Sequence, residues 1–121
     1  MTIEDLRARV ARRQADLLES AERCQREAGQ PATAKVMADS FRHTARDLRH
    51  RAGQTGRILE ILRAPASPAA MAAALQAQRR TLLETAGRLP PKRSYGQARR
   101  RFRVAADDCA EALALLRTVA P

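Results

Sequence analysis

The chain has 121 residues, enough for one domain with a single hydrophobic core and too few for two. Lys and Arg number 23 against 13 Asp and Glu, a formal net charge of +10, and aromatic residues make up only 2% of the chain. This composition excludes a disulfide-stapled secreted scaffold, because the two cysteines stand far apart, and an aromatic platform for stacking unpaired bases; no apolar run approaches the roughly 18–20 residues that span a bilayer.

The first segment opens with Thr2 followed by Asp5 three residues on, a pair that can cap a helix reciprocally. The start, Met1 to Asp5, is acidic and amphipathic and does not read as a signal peptide. Ile3, Leu6, Val10, Leu17, Ala21 and Cys24 recur at helical spacing, so a first helix is expected over about 3–28. Arg13 interrupts this stripe and must snorkel or find an acid. Gly29-Gln30-Pro31 ends the segment. Its six basic and six acidic residues cancel, as on an ordinary solvated bundle helix.

The second segment starts near Pro31, whose fixed φ suits a first helical turn. Its stripe runs through Ala34, Met37, Phe41, Ala45, Leu48 and Ala52. Gly53 and Gly56 follow, yet the apolar phase continues through Thr55, Leu59 and Leu62. Two glycines inside a helix cost about 2 kcal/mol. A break giving helices over about 32–52 and 56–63 is the adopted reading, with one bent helix as the alternative. Ala64-Pro65-Ala66-Ser67-Pro68 then marks a connection, with Ser67 as N-cap and Pro68 as first helical residue. Met71, Leu75, Leu82 and Ala86 face inward on a helix over about 68–86, with Gln78 in the gap. A basic connector, Gly87 to Arg93, leads to the last helix, over about 95–119. There Tyr95, Ala98, Phe102, Ala105, Cys109, Ala112, Leu116 and Val119 alternate steps of three and four, and Ser94 with Gln97 reads as a capping pair. No strand pattern occurs. The expected fold is an all-α up-and-down bundle of four main helices plus one short helix, a single domain over 1–121.

Arg88, Lys92, Arg93, Arg99, Arg100, Arg101 and Arg103 fall within residues 88–103 without one acid among them. Arg99, Arg100 and Arg103 share a flank, while Arg101 points elsewhere. Cations so close to a helix start oppose the macrodipole, the reverse of what local stability prefers, and together with that dipole they suit an anion. A second patch follows Arg42, Arg46 and Arg49, with Arg51 and Arg57 nearby. The candidate nucleic-acid-binding residues are therefore Arg42, Arg46, Arg49, Arg57, Arg88, Lys92, Arg93, Arg99, Arg100 and Arg103. Guanidinium forks match phosphate oxygens. Phe41 and Phe102 sit on inner stripes and Tyr95 is expected half exposed, so contacts to backbone phosphate with little sequence readout are expected. The bland alternative is the solvated face of an arginine-rich protein.

Other chemistry has weak support. His43, Asp47 and His50 share a helix face, but the two histidines stand about 10.5 Å apart along the axis, too far for one ion. Cys24 and Cys109 lie in apolar stripes, Asp107 and Asp108 point in different directions, and no glycine-rich phosphate loop occurs. No metal, cofactor, small-molecule substrate or enzymatic activity is expected, and the free cysteines suggest a reducing, cytoplasmic setting.

In length, charge and helix number the whole chain resembles the small helical subunit of CRISPR interference complexes, a likeness of architecture that involves no shared motif. The resemblance implies several copies per complex, contact with guide RNA and displaced DNA, no cleavage, and sites at the basic residues already named. The rival reading is a phage- or plasmid-encoded inhibitor or adaptor that docks on a protein, for which the off-stripe residues Leu18, Ile58, Ile61, Leu83 and Leu113 are candidates. A helical coat on a granule or anionic membrane is a further rival, but its helices would need broader apolar faces.

Overall fold

The computed structural model describes residues 1–119. Four α-helices carry the chain: α1 (Ile3–Ala28), α2 (Lys35–Arg63), α3 (Pro68–Arg88) and α4 (Gly96–Leu116), the last preceded by a 3-10 turn at Arg93–Tyr95. The architecture is the all-α helical bundle that the periodicity predicts. α1 packs along α2 and α3 along α4, and the two hairpins meet chiefly through α2 and α4, which run parallel. The bundle is thus flattened, with α2 and α4 across its short diagonal.

The ends of the helices show how local sequence sets them. At α1 the Thr2 amide donates to Asp5 Oδ2 at 2.9 Å and the Asp5 amide to Thr2 Oγ1 at 3.1 Å, the reciprocal box expected. Ser67 accepts from the Ala70 amide ahead of Pro68, as expected for α3. α2 differs from expectation at its start. It begins at Lys35, because residues 29–34 are needed to reverse the chain. Thr33 ties that turn to α1 by donating its hydroxyl to the Glu27 carbonyl at 2.9 Å.

α2 is also one continuous helix, so the break at Gly53 and Gly56 and the separate helix over 56–63 are corrected. Gly53 faces open space, and its absent side chain forfeits no contact. Gly56 is used: a Cβ there would lie 2.7 Å from the Gln14 amide nitrogen, which donates to the Ala52 carbonyl. The glycine lets α1 come close enough for that cross-helix bond. Burial of Ala52, Thr55, Ile58, Leu59 and Leu62 around the two positions offsets the propensity cost.

The core is concentrated at the end where α1 and α3 begin. Leu6, Leu62 and Leu75 are fully buried there, packed with Val10, Leu59, Met71, Leu113 and Leu116. Towards the other end the α1–α2 seam is made of small residues: Ala21 and Ala28 from α1, Ala38, Ala45 and Ala52 from α2, each set spaced by seven. This part of the hairpin continues past α4, which begins beside Thr44. Residues 35–43 of α2 thus project about 14 Å at 1.5 Å per residue. Met37, expected on the inner stripe, is 53% exposed and Ala38 is buried instead: α1 covers Ala38, but α4 begins only beside Thr44, so the rest of the arm's circumference is left open. Of the off-stripe apolar residues, Ile58, Ile61 and Leu113 widen the core, while Leu18 and Leu83 stay exposed.

At the far end of the chain, Ser94 does not cap α4. It lies in the 3-10 turn, and Tyr95 holds the N-cap position with no side-chain bond. The helix closes at Leu116, with Thr118 Oγ1 donating to the Leu115 carbonyl in the turn that follows. Among the described residues, no helix is long and apolar enough to cross a membrane.

Candidate nucleic-acid interface

The acids of α2 and α4 divide: Asp47, Asp108 and Glu111 pair with arginines of other helices, while Glu60 and Asp107 stay exposed and make no ion pair among the described residues. Asp108, 9% exposed, accepts two hydrogen bonds from Arg51, Nε at 2.9 Å and Nη2 at 2.8 Å, and lies 3.7 Å from Arg13 Nη2. Arg13 also reaches Glu111 at 3.3 Å, which resolves the charge that interrupts the α1 stripe. The Arg51 proton is held more tightly than usual, first by the hydrogen bond with Asp108 and then by its charge, against the opposing effect of burial. A second cross-helix pair joins Arg101 Nε of α4 to Asp47 Oδ1 of α2.

With these pairs made, the predicted cations separate into distinct groups. Arg46, Arg49 and Arg57 of α2, Arg88, Lys92 and Arg93 of the connector, and Arg100 and Arg103 of α4 are exposed, and none is ion-paired among the described residues. Arg42 is paired with Asp39 at 3.0 Å on its own helix. Arg99 is diverted: its guanidinium donates to the carbonyls of Pro90 and Lys92. A Pro-Pro connector has carbonyls to satisfy and few N–H groups to do it, so Arg99 serves as its strap. At 3.6 residues per turn, Arg46 and Arg57 lie about 20° apart on α2, on the side away from the buried stripe, and Arg49 lies about 60° round from Arg46, beside the edge of that stripe.

One feature escaped the charge pattern. Where the arm leaves the bundle, α2 and α4 enclose a cleft of about 240 Å³. From α2 it takes Thr44, Asp47, His50 and Arg51; from α4 it takes Gln97, Arg100 and Arg101, over an apolar floor of Leu48 and Val104. Of the ten predicted site residues only Arg100 lines it. Arg51 and Arg101 belong to the same basic segments, but which helix faces would meet could not be read from either segment alone. The His50 ring stands edge-on to Phe102, with centroids 5.6 Å apart, so its orientation is fixed by packing.

His50 gives up its proton more readily than a free histidine, chiefly because it is partly desolvated, then because Arg101 and, more weakly, Arg57 repel the cation; Asp47 opposes the shift. The folded state therefore binds this proton less tightly than the unfolded chain. Well above pH 6.5 both states hold neutral His50 and nothing is lost; as pH falls through 6.5 the unfolded state protonates first and stability drops. Urea midpoints in a phosphate-free buffer are expected to fall between about pH 8 and pH 5.5, and His50→Gln to flatten that part of the curve. An unchanged slope in the variant would remove His50 as the cause.

Cys109 is buried and its thiol is pushed up to about 11 by burial and by the adjacent Asp108, so it stays protonated and inert as a nucleophile. Comparison of the chain with protein-family profiles, curated protein sequences and solved structures finds no match. The fold defines an all-α helical bundle, and function has to be argued from its surface.

Proposed function

We propose that the chain is a non-enzymatic, basic helical subunit that binds nucleic-acid backbone, RNA or single-stranded DNA, within a larger ribonucleoprotein complex of the CRISPR-effector kind. The observation that supports this reading is the division of charge. Asp47, Asp108 and Glu111 are engaged by Arg101, Arg51 and Arg13, and among the described residues Arg46, Arg49, Arg57, Arg88, Lys92, Arg93, Arg100 and Arg103 are exposed without ion pairs, with Glu60 and Asp107 left as unpaired acids on the same two helices. Such a surface favours phosphates through counterion release and carries little sequence preference. Copies of the chain, or other subunits, would present several weak sites together. A reducing, cytoplasmic setting fits a protein with two free cysteines.

Fluorescence anisotropy with labelled single-stranded RNA, single-stranded DNA and duplex DNA, across about 50 to 300 mM salt, tests the reading. Binding is expected to weaken steeply with salt, and the ranking of the three identifies the ligand. The triple variant Arg46→Ala, Arg49→Ala, Arg57→Ala is expected to flatten the logarithmic salt slope by about 2 for a single strand, as three phosphate contacts disappear. An unchanged slope in the folded variant would clear α2 of the role.

The second reading, a protein-docking inhibitor or adaptor, draws on Val36 and Met37, which are 80% and 53% exposed at the start of the projecting arm. It would prevail if none of the three nucleic acids bound at low salt.

A further inference from the structure

We infer that the cleft between α2 and α4 is a built binding site for a phosphate group, distinct from the outward basic face of α2. The argument is one of donors and acceptors. Arg51 offers only part of its fork to Asp108, and its side chain is about a third exposed, on the cleft wall. Arg101 commits Nε to Asp47 and makes no other hydrogen bond among the described residues, which leaves both Nη groups available. Arg100 has no partner among the described residues. Thr44 and Gln97 add a hydroxyl and an amide whose side chains make no hydrogen bond among the described residues, and His50 adds an imidazole. Against these donors the cleft has one charged acceptor, Asp47. A site with so many donors on two walls calls for a compact ligand that only accepts, with oxygens directed to several sides; a tetrahedral phosphate dianion meets that description better than a planar carboxylate.

Two features separate this cleft from an ordinary charged surface. Two of its three guanidinium groups are held in place before any ligand arrives, Arg51 by a two-point bond to a buried carboxylate and Arg101 by its cross-helix pair. It is also concave and set on the two helices that form the bundle's short diagonal. The inference does not depend on polymer binding: a free phosphate can occupy the cleft whether or not a nucleic acid lies along α2.

The test is a titration of isotope-labelled full-length protein, at constant ionic strength, followed by the backbone resonances of Gln97, Arg100 and Arg101 and the ring of His50. Three probes are used: inorganic phosphate, adenosine 5′-monophosphate, and a short single-stranded RNA with or without a 5′-phosphate. Saturable shifts confined to the cleft with inorganic phosphate or the mononucleotide would assign a free phosphate ligand. Such shifts only with the 5′-phosphorylated RNA would assign a strand end, and either result supports the site. No saturable shift with any probe, or shifts spread over every exposed arginine, would overturn it.

Variants sharpen the test. Arg100→Ala, at an exposed side chain without a partner, is expected to weaken binding about tenfold or more, the loss of a charge-assisted hydrogen bond. Arg23→Ala makes the same charge change on α1 and is expected to leave it as it was. Asp47→Asn removes the one competing anion and is expected to tighten binding several-fold, a gain that a merely structural role for Asp47 would not produce. Equal affinities for the wild type, Arg100→Ala and Asp47→Asn would overturn the inference even if phosphate bound.

Discussion

Replacing Asp108 with Ala is expected to lower the stability of the fold by about 3 kcal/mol. The carboxylate is buried and joins three helices: it belongs to α4, accepts both hydrogen bonds of Arg51 from α2, and lies 3.7 Å from Arg13 of α1. Removing it leaves a partly buried guanidinium without its partner, and that loss exceeds the worth of the pair itself, since the charge has already been taken from water. Arg51 is about a third exposed and Arg13 more so, which places the figure at the low end for buried pairs. In a chain of this length the melting temperature is expected to fall by about 12 °C. The double variant Asp108→Leu, Arg51→Met removes both charges and is expected to recover more than half of the loss. Urea denaturation of the three proteins checks this. A loss under about 0.5 kcal/mol in Asp108→Ala would mean that the network is decorative.

Leu62→Ala is expected to be as damaging, about 3–4 kcal/mol. Leu62 is fully buried among Leu6, Leu59, Met71 and Leu75, in a core that has few large side chains to spare. Two of these neighbours, Leu6 and Leu59, sit on helices tied by the Asp108 network and by Arg7, whose Nε donates to the Leu62 carbonyl at 2.6 Å, which limits collapse of the cavity from that side. Val36→Ala, at a position 80% exposed on the projecting arm, is expected to change stability by less than about 0.5 kcal/mol. Similar losses for the two variants would contradict the placement of the core at one end of the bundle.

Most of the helical architecture was readable because it is written in short-range chemistry. The Thr2–Asp5 box and the Ser67-Pro68 start act within one turn, and the apolar phase fixes which face turns inward. The misreadings came where a distant residue intervened. Gly53 and Gly56 look like a stop until Gln14 of α1 is found reaching across Gly56 to the Ala52 carbonyl. Ser94 looks like a cap until the Pro-Pro connector is seen to draw Arg99 back onto its carbonyls. Met37 fits the stripe, but α4 begins beside Thr44, past the turn that carries Met37, and α1 covers only the Ala38 side.

For the candidate interface the division is sharper. Sequence alone determined that the chain is all-helical with an excess of arginine concentrated in two segments, because charge count and helical phase are properties of the chain taken a few residues at a time. Only the tertiary structure decided which arginines remain available. Arg51 and Arg101 are matched to Asp108 and Asp47 across helices, at separations of 57 and 54 residues, and Arg99 to the connector, while Arg46, Arg49, Arg57 and Arg100 are left open. The cleft that joins His50 to Arg100 and Arg101 exists for the same reason. It forms between two parallel helices of different hairpins, and the relative depth of the hairpins is set by long-range packing that no local pattern records.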